Sequence, residues 1–154
     1  MHIFLCSYGN FSLAIPMDYV SSIYLSAKKN DRIIDYDSKN RNTYFSLPMF
    51  FKIDDERTCH GIVLKKDGKA GNFDSNENED RIILISTEIL SEKEIPAENF
   101  RPVPGALALY SNVSLFNGMF FISHNVTEKD TAEDLVLLLN PEQLVKTIKK
   151  ELNT

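Results

Sequence analysis

Positive charge is scarce in this 154-residue chain: seventeen Lys and Arg are outnumbered by twenty-two Asp and Glu, a net charge of −5. A nucleic-acid binder usually carries a basic face, so that class is disfavoured. The ten Phe and six Tyr then belong to core packing, since stacking platforms would need a basic cluster beside them. Cysteine is scarce too, with Cys6 and Cys59 alone. Met1-His2-Ile3-Phe4-Leu5-Cys6 has no basic n-region and is too short for a signal peptide. The expectation is a cytoplasmic protein with two reduced, buried thiols. No apolar run approaches the roughly eighteen residues that a membrane-spanning helix requires.

The motifs of catalysis are missing as well. The three histidines, His2, His60 and His124, stand at no ligand spacing with a cysteine or carboxylate. Cys59 and His60 are neighbours, but neighbours on a strand point to opposite faces and would not share a metal. Gly68 and Gly71 are followed by no Gly-Lys-Ser/Thr triplet, and there is no Gly-x-Ser-x-Gly elbow and no dinucleotide fingerprint. Two catalytic arrangements stay open: Cys59 with His124 as nucleophile and base, and the acids Glu88, Glu92, Glu94 and Glu98 as a paired-carboxylate site. A buried structural cysteine and a solvated acidic face account for the same residues. No enzyme, cofactor or metal is expected.

What the chain does have is a succession of short apolar runs between turn signals. The stretch from Arg81 to Leu107 organises them. Ile82-Ile83-Leu84-Ile85 is greasy on both faces and reads as a strand buried on two sides. A polar shoulder, Ser91 to Glu94, follows, and then Ile95-Pro96 and Pro102-Val103-Pro104, whose prolines enforce extended chain. That proline-pinned connection is expected to carry the chain from one small β unit into another. Upstream, Ile3 to Tyr8 and Phe11 to Ile15 read as a hairpin closed at Gly9-Asn10. Val20, Ile23 and Tyr24 have helix-like spacing within Asp18 to Leu25. Lys28 to Asn42 reads as a loop with a brief edge strand at Ile33-Ile34. Thr43 to Phe51 (TYFSLPMFF) reads as a strand at whose edge or end Pro48 sits. His60 to Lys65 is another strand, and Lys66 to Asp80 a surface loop.

Downstream, Asn117-Gly118 between Val113 to Phe116 and Met119 to Ser123 predicts a second hairpin. Leu135 to Leu139 reads as a last buried strand. Asn140, Pro141 and Gln143 mark a helix start, with Leu144, Val145, Ile148 and Leu152 on one face and Lys149 and Lys150 near the dipole's negative end. About eight to ten short strands and one terminal helix make an all-β barrel or sandwich. A weak likeness between the halves suggests two similar barrels.

The order of these elements resembles the CheW-like domains of bacterial chemotaxis. Ala14-Ile15-Pro16 with Val20-Ser21-Ser22-Ile23 is similar to the family's Ala-Ile-Pro and Val-x-x-Ile. Asn40-Arg41-Asn42 and Thr43 to Phe50 lie on its Leu-Arg-Gly segment and following strand, and the likeness runs on through HGIVLK, Ile82 to Ile85 and the prolines. Leu135 to Leu139 with Asn140-Pro141-Glu142-Gln143-Leu144 resembles its closing strand and helix. Asn42 replaces the glycine after the arginine and can take the left-handed conformation that glycine supplies. Ser46 and Met49 replace a proline and an aspartate.

The resemblance implies one domain, 1–154, built of two small SH3-like five-stranded β-barrels packed together, with a short C-terminal helix. It implies a non-enzymatic adaptor that couples chemoreceptor cytoplasmic tips to the regulatory domain of a CheA-type histidine kinase. Arg41 is the first candidate for a partner-binding anchor, with Tyr44 and Tyr24 as neighbouring aromatic candidates. The alternatives are a small-ligand-binding barrel or unrecognised enzyme, and a structural subunit of another assembly that uses the same fold.

Overall fold

In the computed structural model, residues 1–8, 11–27, 32–53, 59–65, 80–87, 89–103, 115–125 and 131–152 are described. The turn at Gly9-Asn10, residues 66–79 of the expected surface loop and residues 113 and 114 of the expected second hairpin lie outside them.

Among the described residues ten strands form: β1 His2–Ser7, β2 Phe11–Pro16, β3 Val20–Ala27, β4 Ile34–Asp37, β5 Asn42–Ser46, β6 Cys59–Leu64, β7 Arg81–Thr87, β8 Ile89–Glu94, β9 Phe116–Asn125 and β10 Thr131–Leu139. Two helices accompany them, α1 Leu47–Phe50 and α2 Pro141–Leu152. One five-stranded sheet has the order β8-β1-β2-β10-β9, the other β3-β6-β7-β5-β4.

Across both sheets the successive pairings are antiparallel, antiparallel, parallel, antiparallel. Strands β3, β4, β5, β6 and β7 therefore correspond to β8, β9, β10, β1 and β2. The two units share one topology, circularly shifted along the chain. The helices obey the same correspondence, α1 following β5 and α2 following β10. This is the repeat that the sequence carried only as a weak likeness between halves. The N-terminal hairpin completes the unit that the C-terminal strands begin.

The chain therefore changes sheet twice, at equivalent joints: through the 3-10 turn Met17–Tyr19 between β2 and β3, and between Thr87 and Ile89. The crossing lies ahead of the prolines, not at them. Ile95 stays beside the first sheet, where its N–H donates to the Met1 carbonyl at 2.8 Å and its carbonyl accepts from the Met1 amino group at 2.9 Å. The polar shoulder is itself strand β8, an edge strand whose charges face water.

Alternation along the strands sorts their side chains into three clusters. Phe4 and Cys6 of β1, Leu13 and Ile15 of β2, Phe45 of β5, Ile62 and Leu64 of β6, Leu84 of β7 and Leu139 of β10 meet in a core shared by both sheets. The opposite face of the first sheet gathers Ile3, Leu5, Ala14, Val136, Leu138 and Phe120. The opposite face of the second gathers Cys59, Val63, Ile83 and Ile85. Ile83 and Ile85 turn one way and Leu84 the other, so β7 is buried on both faces as its composition predicts. Each such side chain contributes about 1.5–3 kcal/mol relative to exposure.

Helix α2 sits on the shared core through Leu144, Val145 and Ile148, while Leu152 is exposed. Its start is capped as predicted: Asn140 Oδ1 accepts from the Gln143 N–H at 3.2 Å. The segment TYFSLPMFF is not one strand. Ser46 Oγ accepts from the Met49 N–H at 3.3 Å and starts α1, with Pro48 in its first turn, where a missing N–H costs nothing. Lys52, at φ 58°, then stops it: Ile53 N–H bonds the Pro48 carbonyl at 2.8 Å and Lys52 N–H the Met49 carbonyl at 3.1 Å, the Schellman pattern.

Two further expectations are corrected. Asp18 to Leu25 is not helical beyond the 3-10 turn, because β3 is an edge strand whose apolar residues are only partly buried. Asn117-Gly118 is no hairpin turn but an irregularity within β9, where Gly118 pairs with Leu138 and Phe116 with Leu139. Gly118 is there because Arg101 crosses it. A Cβ at that position would lie 2.8 Å from the Arg101 carbonyl oxygen, and Arg101 and Met119 exchange two backbone hydrogen bonds of 2.8 Å.

Candidate partner-binding surface

Arg41 closes the loop between β4 and β5. Asp37 pairs with Asn42 across that hairpin. The Asp37 carboxylate organises the residues between: Oδ1 accepts from the Lys39 and Asn40 N–H groups at 3.0 and 3.3 Å, and Oδ2 from Asn40 Nδ2 at 2.7 Å. The Asn40 side-chain bond leads in holding the Asp37 carboxyl below its usual range, with the two backbone N–H groups and the Lys39 charge acting the same way.

The left-handed residue of this loop is Arg41 itself, at φ 57°, not Asn42, which already belongs to β5. Its carbonyl accepts from the Arg81 N–H at 3.0 Å, anchoring the loop to β7. The guanidinium reaches Asp80, Nε to Oδ1 3.0 Å, with both side chains more than half exposed. An ion pair so solvated is worth about 0–1 kcal/mol.

Tyr44 lies three residues on. It packs beside the Cys59, Val63, Ile83 and Ile85 cluster and its hydroxyl accepts from Asn42 Nδ2 at 3.2 Å. Tyr24 is on the same face, since Tyr44 is opposite Ile83, Ile85 opposite Gly61, and Gly61 opposite Tyr24. Two strands, β6 and β7, separate the tyrosines. Arg41 and Tyr44 lie three residues apart at the start of β5, while Tyr24, 46% exposed, stands at the other side of the sheet. Asp80 and Asp37 are the participants that reading the sequence missed. Asp37 could have been found from its spacing to Asn40, a turn-forming pair; nothing in the sequence pairs Arg41 with a residue thirty-nine positions away.

Of the catalytic candidates, Cys59 is 3% exposed, and the side chain of His124 lies outside what is described. Glu92, Glu94 and Glu98 are exposed, Glu94 beside His2 at 3.9 Å, and Glu88 lies outside the described residues. Among the described residues no group of three or more His, Cys, Asp or Glu could hold a metal. No described helix is long and apolar enough to cross a membrane.

No protein-family model matches the chain, and no curated protein matches it. Among solved structures, its fold is similar to the crystal structure of the scaffolding protein TtCheW from Thermoanaerobacter tengcongensis. The TM-score is 0.55 at 12% identity, over 90% of this chain and 82% of that one. At that identity the likeness is one of fold. The class expected from the sequence, twin five-stranded SH3-like units with a C-terminal helix, is the class the chain has.

Proposed function

We propose that this chain is a non-enzymatic adaptor of the chemotaxis type. It works in the cytoplasm and couples a chemoreceptor's cytoplasmic tip to the regulatory domain of a CheA-type histidine kinase. The observation that carries this reading is the structural likeness to a CheW scaffolding protein over nine-tenths of the chain. Arg41 and Tyr44 are the anchors of that contact: an exposed guanidinium on a loop pinned to β7, and an aromatic ring three residues on, packed on the cluster of Cys59, Val63, Ile83 and Ile85. Tyr24, across the sheet, anchors a separate protein contact.

Titration of the chain against a purified kinase regulatory domain and a receptor-tip fragment tests the proposal. Submicromolar to micromolar binding to at least one is expected, and binding to neither overturns the coupling role. Arg41→Glu should raise Kd about tenfold or more with the circular dichroism unchanged. Unaltered affinity would remove Arg41 from the contact.

A further inference from the structure

Among the described residues four strands stand at sheet edges: β3, β4, β8 and β9. An edge exposes alternate backbone N–H and C=O groups and invites pairing unless charge, brevity or irregularity blunts it. Strand β4 has four residues, two of them aspartates, and β8 carries Glu92, Lys93 and Glu94. Strand β9 already takes the Arg101 bridge along its edge. Strand β3 is different: its eight residues, VSSIYLSA, include no charge. Tyr24 is 46% exposed and Leu25 73%, the highest exposure among the large apolar residues described.

We propose that β3 is a homotypic edge, through which two copies of this chain pair antiparallel about a two-fold axis at Tyr24. The occupant is indicated by the strand's own order. Ser22-Ile23-Tyr24-Leu25-Ser26 reads the same in both directions by class: hydroxyl, aliphatic, aromatic, aliphatic, hydroxyl. Antiparallel pairing about Tyr24 sets Ile23 opposite Leu25, Ser22 opposite Ser26 and Tyr24 opposite its own copy. Directly opposed residues share a face, so each pairing matches like with like. About a two-fold axis each residue i meets j while j meets i, so this reversal symmetry makes every cross-axis pair a match of like with like. Each chain carries a net charge of −5, and the contact places none of it across the axis. The ladder to β6 shifts register on either side of the axis, between Val20 and Ser22 and between Tyr24 and Ala27, where Leu25 and Ser26 together stand opposite His60. This inference stands on β3 alone and is independent of the coupling role.

Sedimentation velocity of the full chain, from about 1 μM to about 1 mM, tests it; a reversible monomer–dimer equilibrium is expected. Tyr24→Glu and Tyr24→Lys place like charges at the axis, so each variant alone should be monomeric and their equimolar mixture should recover a heterodimer. Thermal unfolding of each variant verifies the fold. Leu25→Lys, at the most exposed position, should raise the dimer Kd about tenfold or more and keeps the test open if Tyr24 variants fold poorly. A wild-type chain monomeric throughout, which would mean that the irregularity at Leu25-Ser26 blunts the edge, overturns the proposal. So does a dimer indifferent to these substitutions, or a mixture that stays monomeric.

Discussion

Three residues, Lys52, Cys6 and Tyr8, show how local physics sets stability here. Lys52 occupies a left-handed position that its Cβ opposes at a cost of roughly 1–2 kcal/mol, held there by the two bonds that end α1. Lys52→Gly removes that conflict while adding some backbone freedom to the unfolded chain. A net gain of about 1 kcal/mol is expected in urea unfolding, and a loss would show that the lysine is held by something other than this turn. Cys6 lies wholly in the shared core, where burial pushes its thiol up to about 11, against a smaller opposing effect of its bond to Ser86. Tyr8, hydrogen-bonded to Ser86 Oγ at 2.8 Å, is raised too, chiefly by burial. Below pH 9 the thiol keeps its proton in both states and stability is unaffected. From pH 9.0 to about 11 the unfolded thiol ionises and the folded one does not. Stability then falls by about 1.4 kcal/mol per pH unit, with Tyr8 adding the same sign above its ordinary value. Urea midpoints at pH 8 and pH 10.5 would reveal it, and Cys6→Ala should flatten the slope.

At the scale of the element, legibility follows burial. Among strands buried on both faces, β7 and β10 announced themselves by continuous aliphatic runs and β1 and β2 by the turn pair between them, while α2 was marked by its cap. The edge strands did not. Strand β3 has its apolar residues half in water, and three of them fall at helical spacing by chance; β8 is too charged to look like a strand. In β9 the Asn117-Gly118 pair signals a hairpin by local chemistry, but the glycine answers a tertiary demand, the Arg101 backbone crossing at that point. Gly118→Ala should therefore cost about 1–3 kcal/mol, because the clash is with backbone rather than with a movable side chain. A thermal shift of less than a degree would show that Arg101 can step aside. The candidate surface was legible in part. Arg41 was selected by resemblance, whereas its left-handed backbone was expected one residue later, because asparagine is the better left-handed residue. Pairing of Asn42 with Asp37 fixes the register and moves the strain onto the arginine.

At the scale of the whole molecule, the two units are joined by a common core rather than by a linker. Phe4, Leu13 and Leu139 of one sheet lie in a single cluster with Phe45, Ile62 and Leu84 of the other. Ser86 and Thr87 of β7 reach across to the Tyr8 hydroxyl and the Ser7 carbonyl. One cooperative unfolding transition is expected, with tyrosine fluorescence and far-ultraviolet circular dichroism giving coincident midpoints. Separate midpoints would mean that the halves melt independently. The shifted topology also bears on how the chain is made. The second sheet, β3 to β7, has every strand it needs once residue 87 has left the ribosome, but His2 pairs with Glu94 and Leu13 with Leu137. The β1–β2 hairpin, made before either of its flanking strands, is thus the last to be seated. For most of translation it is an unsatisfied greasy ribbon that a nascent-chain chaperone would be well placed to shield.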